Sequence, residues 1–501
     1  MNGKVGLSFL VLVLMLGSPW YLLLEEVGVR GYLSLLLALS LVIIGFNIFI
    51  ENRHPIQTIT WIIAFGAFPV IGFIFYLLFG GNFRKERKFR RKYFLDKHEF
   101  LKRGTEVDTW EKRGVKLRHR RLFSLAEKLG NSSISFASKT RILTNGKETY
   151  ASILKQLRKA KHHIHLEYYI VRDDDSGCTL KDILIQKAKE GVRVRFLYDA
   201  VGCWSLARPY IDEMRDSGVE IVPFGPIHLP FINSTFNFRN HRKMIIVDGT
   251  IGFIGGLNIG DEYLGLNANY GSWRDTHLLV EGEAVRTLQL IFSQDWYYST
   301  NQSYLSDAYI GTSQPVLQDL GGVQMIAGGP DCEWTVIKNL FFSMINSAEK
   351  SIWIASPYFV PDEDIFQALK VAGLSGLDVR ILVPRNPDKW IVFHASRTYF
   401  SELLEAGVRI FQYNEGFMHS KIVIVDNELA SIGSANIDMR SFHLNFEVNA
   451  FLYHTESTQT LVDDYLKDLK VSQEIQLKVF SNRNFGLKVL ESTCRLLSPL
   501  L

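Results

Sequence analysis

The sequence predicts an α/β protein made of two duplicated halves related by a local two-fold axis and preceded by transmembrane helices. Three observations predict this fold class. A short motif occurs twice at a constant separation, helix ends alternate with strand-like runs around both copies, and three long apolar segments open the chain.

The amino terminus contains the three apolar segments, at about residues 5–24, 32–50 and 56–79, and none of them contains a charged residue. Each has about the 20 residues that a membrane-spanning helix needs. No small-x-small cleavage site follows the first segment, so we expect residues 1–80 to form an uncleaved transmembrane anchor. A buried helical hairpin of a soluble domain is the alternative.

A basic segment follows, within a juxtamembrane linker predicted over residues 81–135. Residues 84–121 contain 16 Lys/Arg and 6 Asp/Glu, a net charge of +10, whereas the whole chain carries only +4. Such charge beside a membrane segment marks the cytoplasmic side and attracts anionic lipid headgroups. We therefore expect a multi-pass protein of the cell membrane, with the duplicated halves in the cytoplasm and no nucleic-acid partner. A nucleic-acid patch and a plain solvated helix are the alternatives.

The duplicated motif is His-x-Lys-x4-Asp, followed by a Gly-(Gly/Ser)-x-Asn tail. Every matched pair of residues is 178 positions apart, and no gap separates the two copies. A single copy would carry little weight, but duplication in register is hard to explain without a function. The two copies are His241, Lys243, Asp248 and Asn258, and His419, Lys421, Asp426 and Asn436.

A β-branched run follows the His-x-Lys of each copy and predicts a buried strand. Because side chains alternate along a strand, the histidine and lysine share a face, while the aspartate has the opposite parity and begins a turn. We therefore interpret Asp248 and Asp426 as supporting or structural members of the candidate catalytic motif. Two imidazoles with lysine and asparagine donors on either side suit phosphodiester chemistry.

The chain suggests no cofactor, metal site or disulfide framework. Its four cysteines are scattered without Cys-x-x-Cys spacing, and the other histidines lack a matched carboxylate spacing.

An insertion distinguishes the first half from the second. Gly218 and Gly407 are 189 residues apart, whereas the two motif histidines are 178 residues apart. The first half therefore has eleven extra residues before its histidine, between Gly225 and Asn240. We expect this apolar, proline-containing insertion to contact acyl chains or the membrane interface, with a cap on the core as the alternative.

The duplicated motif resembles that of the phospholipase D superfamily, and other segments are similar to bacterial cardiolipin synthases. The similarity runs from the second apolar segment to the carboxyl terminus. The extra amino-terminal span is a departure, since such synthases commonly have two. The similar segments are His165–Tyr169, Asn240–Lys243, Gly255–Tyr263, Trp273–His277, Ser356–Asp362 and Asp438–Asn449.

The resemblance implies two phospholipase D-type α/β/α sandwich domains, at residues 136–315 and 316–501. It also implies transfer of a phosphatidyl group between two phosphatidylglycerol molecules, giving cardiolipin and glycerol without a metal. His241 is expected to act as nucleophile and His419 as general acid/base. Asp275 and Glu447 are expected to orient the histidines. Asn258 and Asn436 are expected to bind the substrate phosphate together with the lysines.

Other functions remain open at this point. A related phosphatidyltransferase or hydrolase could use water, serine or ethanolamine as acceptor. A noncatalytic membrane scaffold is more distant, because both motif copies are intact. A nuclease is disfavoured by the apolar segments. The sequence leaves the oligomeric state open.

Overall fold

The structure is a computed structural model and describes residues 28–50, 55–70, 72, 76, 115–225, 237–267, 271–303, 309, 321–332 and 334–498. The chain divides into an amino-terminal unit and a larger unit that contains both duplicated halves. The first apolar segment, most of the basic segment and the apolar insertion at 226–236 lie outside the described residues.

The amino-terminal unit contains two described helices, α1 (Gly28–Ile50) and α2 (Pro55–Ala67). They coincide with the second apolar segment and the first part of the third. Among the described residues, no helix is both long enough and apolar enough to cross a membrane.

The first half is built on a seven-stranded mixed sheet with the strand order β1-β8-β6-β5-β2-β3-β4. Strands β2, β3 and β4 are parallel, and β5, β6, β8 and β1 continue the sheet in antiparallel pairs. The strands are β1 (Ser138–Thr144), β2 (His163–Tyr168), β3 (Arg193–Asp199), β4 (Glu220–Phe224), β5 (Met244–Val247), β6 (Ile251–Gly255), β7 (Trp273–Arg274) and β8 (Thr276–Gly282). The helices are α4 (Asn145–Lys159), α5 (Asp175–Lys189), α6 (Arg208–Asp216) and α7 (Ala284–Thr300), with α3 (Leu117–Gly130) ahead of them.

The second half repeats this arrangement. Its sheet has the order β9-β18-β16-β15-β10-β12-β13-β19, which matches the first sheet strand for strand and adds β19 at one edge. The strands are β9 (Gly322–Gly328), β10 (Ser351–Ala355), β11 (Phe359–Val360), β12 (Asp378–Pro384), β13 (Arg409–Tyr413), β14 (Phe417–Met418), β15 (Ile422–Val425), β16 (Leu429–Gly433), β17 (Ile437–Asp438), β18 (Glu447–Tyr453) and β19 (Ser472–Glu474). The helices are α8 (Val336–Asn346), α9 (Glu363–Leu374), α10 (Trp390–Arg397), α11 (Phe400–Glu405), α12 (Met439–His443), α13 (Glu456–Lys470), α14 (Leu477–Ser481) and α15 (Phe485–Arg495).

The two sheets share an apolar layer. Helices α7 and α13 pack into it together with the facing sides of both sheets, and Trp296 and Tyr465 are among its largest buried side chains. The outer face of the first sheet is covered by α4, α5 and α6, and that of the second by α3, α8 and α9. Each half is therefore an α/β/α sandwich, and the predicted duplication of an α/β unit is confirmed.

Helix α3 departs from the prediction of a linker over 81–135. Its residues Leu122, Phe123 and Ala126 are buried in the core of the second half, with Ile326 and Leu340 among their companions. The high density of basic residues in the segment concealed this short apolar stripe. The last part of the predicted linker is thus an element of the second half.

The strands that follow the two histidines form as expected. Strands β5 and β15 are fully buried, and each enters a hairpin through a tight turn. The turn residues Asp248 and Gly249, and Asp426 and Asn427, all have positive φ, which the twist of such a turn requires.

Candidate active site

The two histidines lie just before β5 and β15, where each half is hydrogen-bonded to the other. The backbone N–H of His241 donates to the carbonyl of Phe446 at 2.9 Å. The N–H of His419 donates to the carbonyl of Arg274 at 2.7 Å. Each histidine is therefore anchored by the half that does not carry it.

The same reciprocity holds for the side chains. His241 Nδ1 lies 2.9 and 3.0 Å from the two carboxylate oxygens of Glu447. His419 Nδ1 lies 2.6 Å from Asp275 Oδ2. The imidazoles are 12% and 8% exposed, while the carboxylates are 0% and 1% exposed. A substrate can thus reach the imidazoles but not their partners. The structure places each histidine against one of the two carboxylates expected to orient them, and it alone shows which carboxylate serves which histidine.

Neighbouring donors hold the carboxylates in place. Glu447 accepts hydrogen bonds from Ser434 Oγ and, at 3.2 Å, from Asn445 Nδ2. Asp275 Oδ1 accepts from the Thr276 N–H at 2.8 Å. Each carboxylate can therefore fix one tautomer of its imidazole, with Nδ1–H toward the carboxylate and Nε2 left for chemistry.

Electrostatics favour neutral imidazoles beside ionised carboxylates. Burial lowers the pKa of His241 to about 4, although Glu447 acts in the opposite direction. Burial, followed by the charge of Lys421, lowers the pKa of His419 to about 4 as well. Burial by itself would raise the pKa of Glu447 and of Asp275. The facing imidazoles and lysines outweigh it, so that the pKa of each carboxyl is lowered.

The two lysines belong to the same cluster. Each Nζ donates to the carbonyl of its own motif histidine at 2.6 Å, and Lys421 Nζ also lies 3.1 Å from His419 Nδ1. Burial lowers the pKa of Lys421 to about 8 and that of Lys243 well below its usual value. The charge of Lys421 further lowers the pKa of both Lys243 and His241. The two motif copies therefore form one electrostatic site.

The two asparagines are held differently. Asn258 Oδ1 accepts from the Ile170 N–H at 3.2 Å. Asn436 Nδ2 donates to Asp438 Oδ2 at 3.0 Å, and its Oδ1 is buried with no hydrogen-bond partner within the part of the chain that the structure describes. Both side chains are buried.

Aromatic side chains that sequence reasoning did not assign enclose the imidazoles. The ring centroid of Tyr169 is 4.9 Å from that of His241, and the centroid of Trp273 is 5.0 Å from that of His419. Both residues lie in segments that carry the family resemblance, which was the available signal. Lys243 Nζ also lies 5.2 Å from the centroid of the Tyr169 ring.

The motif aspartates lie at the other end of their strands. Asp248 accepts from the backbone N–H groups of residues 161, 162 and 163, and Asp426 accepts from those of residues 349, 350 and 351. Each carboxylate thus fixes the turn that leads into β2 or β10. The structure does not bring these aspartates to the imidazoles, in agreement with a structural interpretation.

Known proteins are similar to this chain in sequence and in fold. A profile described as the cardiolipin synthase, phospholipase D-like domain matches residues 153–296 and 341–469. A cardiolipin synthase of Geobacillus sp. (strain WCH70) is 61% identical over 472 residues, 94% of each chain. A cardiolipin synthase of Halalkalibacterium halodurans is 57% identical over 504 residues, 99% of this chain and 100% of its own. The chain belongs to the cardiolipin synthase family of the phospholipase D superfamily.

The predicted membership of this family is confirmed, and with it the prediction of an enzyme, a phosphatidyltransferase. A phosphatidylserine synthase of Haemophilus influenzae Rd KW20 has a similar fold, with a TM-score of 0.58 at 14% identity. It covers 76% of this chain and 100% of its own. Within the described residues, no group of three or more His, Cys, Asp or Glu side chains is arranged to hold a metal ion. Independence of metal stays a prediction.

Proposed function

We propose that the chain transfers a phosphatidyl group from one phosphatidylglycerol to the terminal hydroxyl of a second, giving cardiolipin and glycerol. The observation that carries the proposal is the reciprocal pairing of His241 with Glu447 and of His419 with Asp275. Two oriented imidazoles allow one to attack phosphorus while the other transfers protons. Family membership supplies the substrate class.

In the first step, neutral His241 uses Nε2 to attack the phosphorus in line. The bond between phosphorus and the headgroup glycerol oxygen breaks, and protonated His419 gives its Nε2 proton to that oxygen. Glycerol leaves, and the phosphatidyl group remains on His241 as a phosphohistidine. The carboxylates of Glu447 and Asp275 stabilise the positive charge that each imidazole carries during the cycle.

In the second step, the hydroxyl of a second phosphatidylglycerol occupies the position of the departed glycerol. Neutral His419 accepts its proton while the oxygen attacks phosphorus and displaces His241. The negative phosphodiester raises the proton affinity of the nearby imidazoles, which favours the protonated acid that the first step requires.

Charge on the non-bridging oxygens grows in each transition state. Lys243, Lys421, Asn258 and Asn436 are all buried, and in the proposed mechanism their ammonium and amide groups stabilise that charge without reorganising water. We therefore expect phosphoryl transfer to proceed without a metal ion. The assignment of His241 as nucleophile rests on the resemblance, because the two pairs are nearly symmetric.

The membrane setting also belongs to the proposal. The apolar segments of residues 1–80 anchor the protein, and the catalytic halves lie on the cytoplasmic side at an anionic lipid surface. Exposed tryptophans support contact with the interface. Trp204, Trp334 and Trp390 are 84%, 59% and 54% exposed. Trp204 and Trp334 lie in the connections that follow β3 and β9, and Trp390 begins α10 after β12, all at the edge nearest the histidines.

The proposal is tested with the purified full chain in detergent and phosphatidylglycerol as the only lipid. Cardiolipin and free glycerol are expected in equal amounts, and rapid quenching in denaturant at neutral pH, where the P–N bond of phosphohistidine is stable, should leave the phosphatidyl group on the protein. Phosphatidic acid as the sole product would instead identify a hydrolase. Product only after addition of serine or ethanolamine would identify another phosphatidyltransferase.

A further inference from the structure

The catalytic sets of the two halves are nearly alike, so the features that distinguish donor from acceptor must lie around them. The clearest polar difference is a group of three side chains in the second half, Tyr358, Asp388 and Lys389. They line one cleft, together with Pro357, Phe393, Ser396 and Arg397 among others. We call these three side chains the polar triplet.

Strand pairing fixes the triplet beside the candidate active site. Strand β11 pairs in parallel with β17, with Phe359 opposite Ile437. This register puts Tyr358, the preceding residue, opposite Asn436. The Ile437 N–H also donates to Ser356 Oγ at 3.2 Å, and Ser356 Oγ donates to the Tyr358 carbonyl at 2.7 Å. The backbone of Tyr358 is thus tied to the tail of the second motif.

The three side chains form a connected group. Tyr358 Oη donates to Asp388 Oδ2 at 2.5 Å, and Lys389 Nζ lies 4.8 Å from the centroid of the Tyr358 ring. The charge of Asp388 acts on His419 and Lys421, raising the pKa of each against the larger effect of burial. The carboxylate of Asp388 is therefore within electrostatic range of the proposed acid/base.

Among the described residues of the first half, we find no equivalent group. The Tyr169 ring packs against His241. Asp199, at the end of β3, accepts from the N–H groups of Val201 and Gly202 at 2.9 and 2.8 Å and pairs with Arg239. Asp199 is fully buried, and backbone N–H groups of the loop that follows β3 already donate to its carboxylate. The Tyr-Asp-Lys group thus lies on the side of His419.

We propose that the polar triplet is the subsite for the glycerol headgroup that first leaves and then attacks. This inference rests on the proposed function and adds the residues that select the acceptor. Asp388 accepts a hydrogen bond from a glycerol hydroxyl, Tyr358 positions Asp388, and Lys389 attracts the phosphate of the acceptor lipid. The unpartnered, buried Asn436 Oδ1 offers a second acceptor for a hydroxyl.

The subsite accounts for both steps. A glycerol held beside His419 can receive its proton on leaving, and a glycerol bound in the same place can give a proton to His419 on attack. The headgroup of phosphatidylglycerol carries a vicinal diol, so one hydroxyl remains to bind Asp388 while the other reacts, whereas ethanol has only its reacting hydroxyl. The triplet therefore favours polyol acceptors over simple alcohols.

Competition between acceptors tests this inference. The full chain is given phosphatidylglycerol in detergent with excess ethanol, and the ratio of cardiolipin to phosphatidylethanol is measured. Asp388→Ala should lower this ratio by about 10- to 100-fold, the range for losing a hydrogen bond to a charged group. Asp388→Asn, which keeps an acceptor oxygen, should lower it less. Lys389→Gln, at an exposed position, should raise the KM for phosphatidylglycerol as acceptor more than it lowers kcat.

Glu402→Gln is the matched control, since Glu402 is 49% exposed and pairs with Lys370 in the same half. Its product ratio should equal that of the unmodified chain. An unchanged ratio in the Asp388→Ala and Lys389→Gln variants would overturn the inference. So would an equal loss of both products in a folded Asp388 variant, which would indicate a part in the chemistry itself. If the unmodified chain makes neither product, the proposed function fails instead.

Discussion

Replacing Glu447 with glutamine tests the central feature of the site, the stabilisation of one imidazole by a carboxylate of the other half. The change removes the charge and keeps the shape. The amide oxygen can retain the bond from Asn445, and the amide nitrogen can donate to Ser434 Oγ. The fold should therefore persist, and catalysis should suffer.

The distances set the size of the effect. The carboxylate oxygens are 2.9 and 3.0 Å from His241 Nδ1, so the two charge centres are about 4 Å apart once the imidazole becomes cationic. At an effective dielectric constant of about 20, such a pair contributes about 4 kcal/mol. Each 1.36 kcal/mol is about tenfold in rate, so the rate should fall by about three orders of magnitude.

The assay measures initial rates of cardiolipin formation together with the melting temperature. Glu402→Gln is the control for the loss of a carboxylate elsewhere in the same half. A folded Glu447→Gln variant that keeps more than a tenth of the rate would refute the argument. Loss of rate together with a large drop in melting temperature would show that the carboxylate acts mainly in folding.

Three further predictions concern the same site. His241→Ala should form no phosphoenzyme, while His419→Ala should still form it slowly from a donor with a good leaving group; the opposite pattern would reverse the two roles. The pKa of Lys421, lowered to about 8, implies that its positive charge is present below this pH and lost above it. We therefore expect kcat/KM to fall by up to about tenfold per unit above pH 8, and Lys421→Arg to move this limb upward; a flat profile to pH 10 would contradict this. The rate should survive excess chelator, and a loss restored by one divalent ion would contradict the metal-free mechanism.

Much of the fold was predictable because the duplication is local and regular. The β-branched run after each His-x-Lys predicts a buried strand, and the structure has β5 and β15 there. The parity of Asp248 and Asp426 correctly separated them from the imidazoles. These features depend on residues close in sequence, where periodicity is informative.

Other features depend on distant residues and left no local pattern. The docking of α3 on the second half rests on Leu122 and Phe123, which are outnumbered by the basic residues around them. The contact of Trp273 with His419 spans 146 residues and requires β7 to pair with β14. The resemblance could point to Asp275 and Glu447, but only the three-dimensional arrangement showed that each serves the histidine of the other half.

This exchange of partners bears on the direction of the reaction. Since His241 depends on Glu447 and His419 on Asp275, neither half holds a complete imidazole pair, and the shared apolar layer joins the two halves into one folding unit. In the proposed reaction the bond that breaks and the bond that forms are both phosphodiester bonds to a primary glycerol oxygen, and the same imidazole protonates one and deprotonates the other. Such a site stabilises the forward and reverse transition states alike. The release of glycerol into water, while both lipids remain in the bilayer, then sets the net direction, and added glycerol should drive cardiolipin back to phosphatidylglycerol.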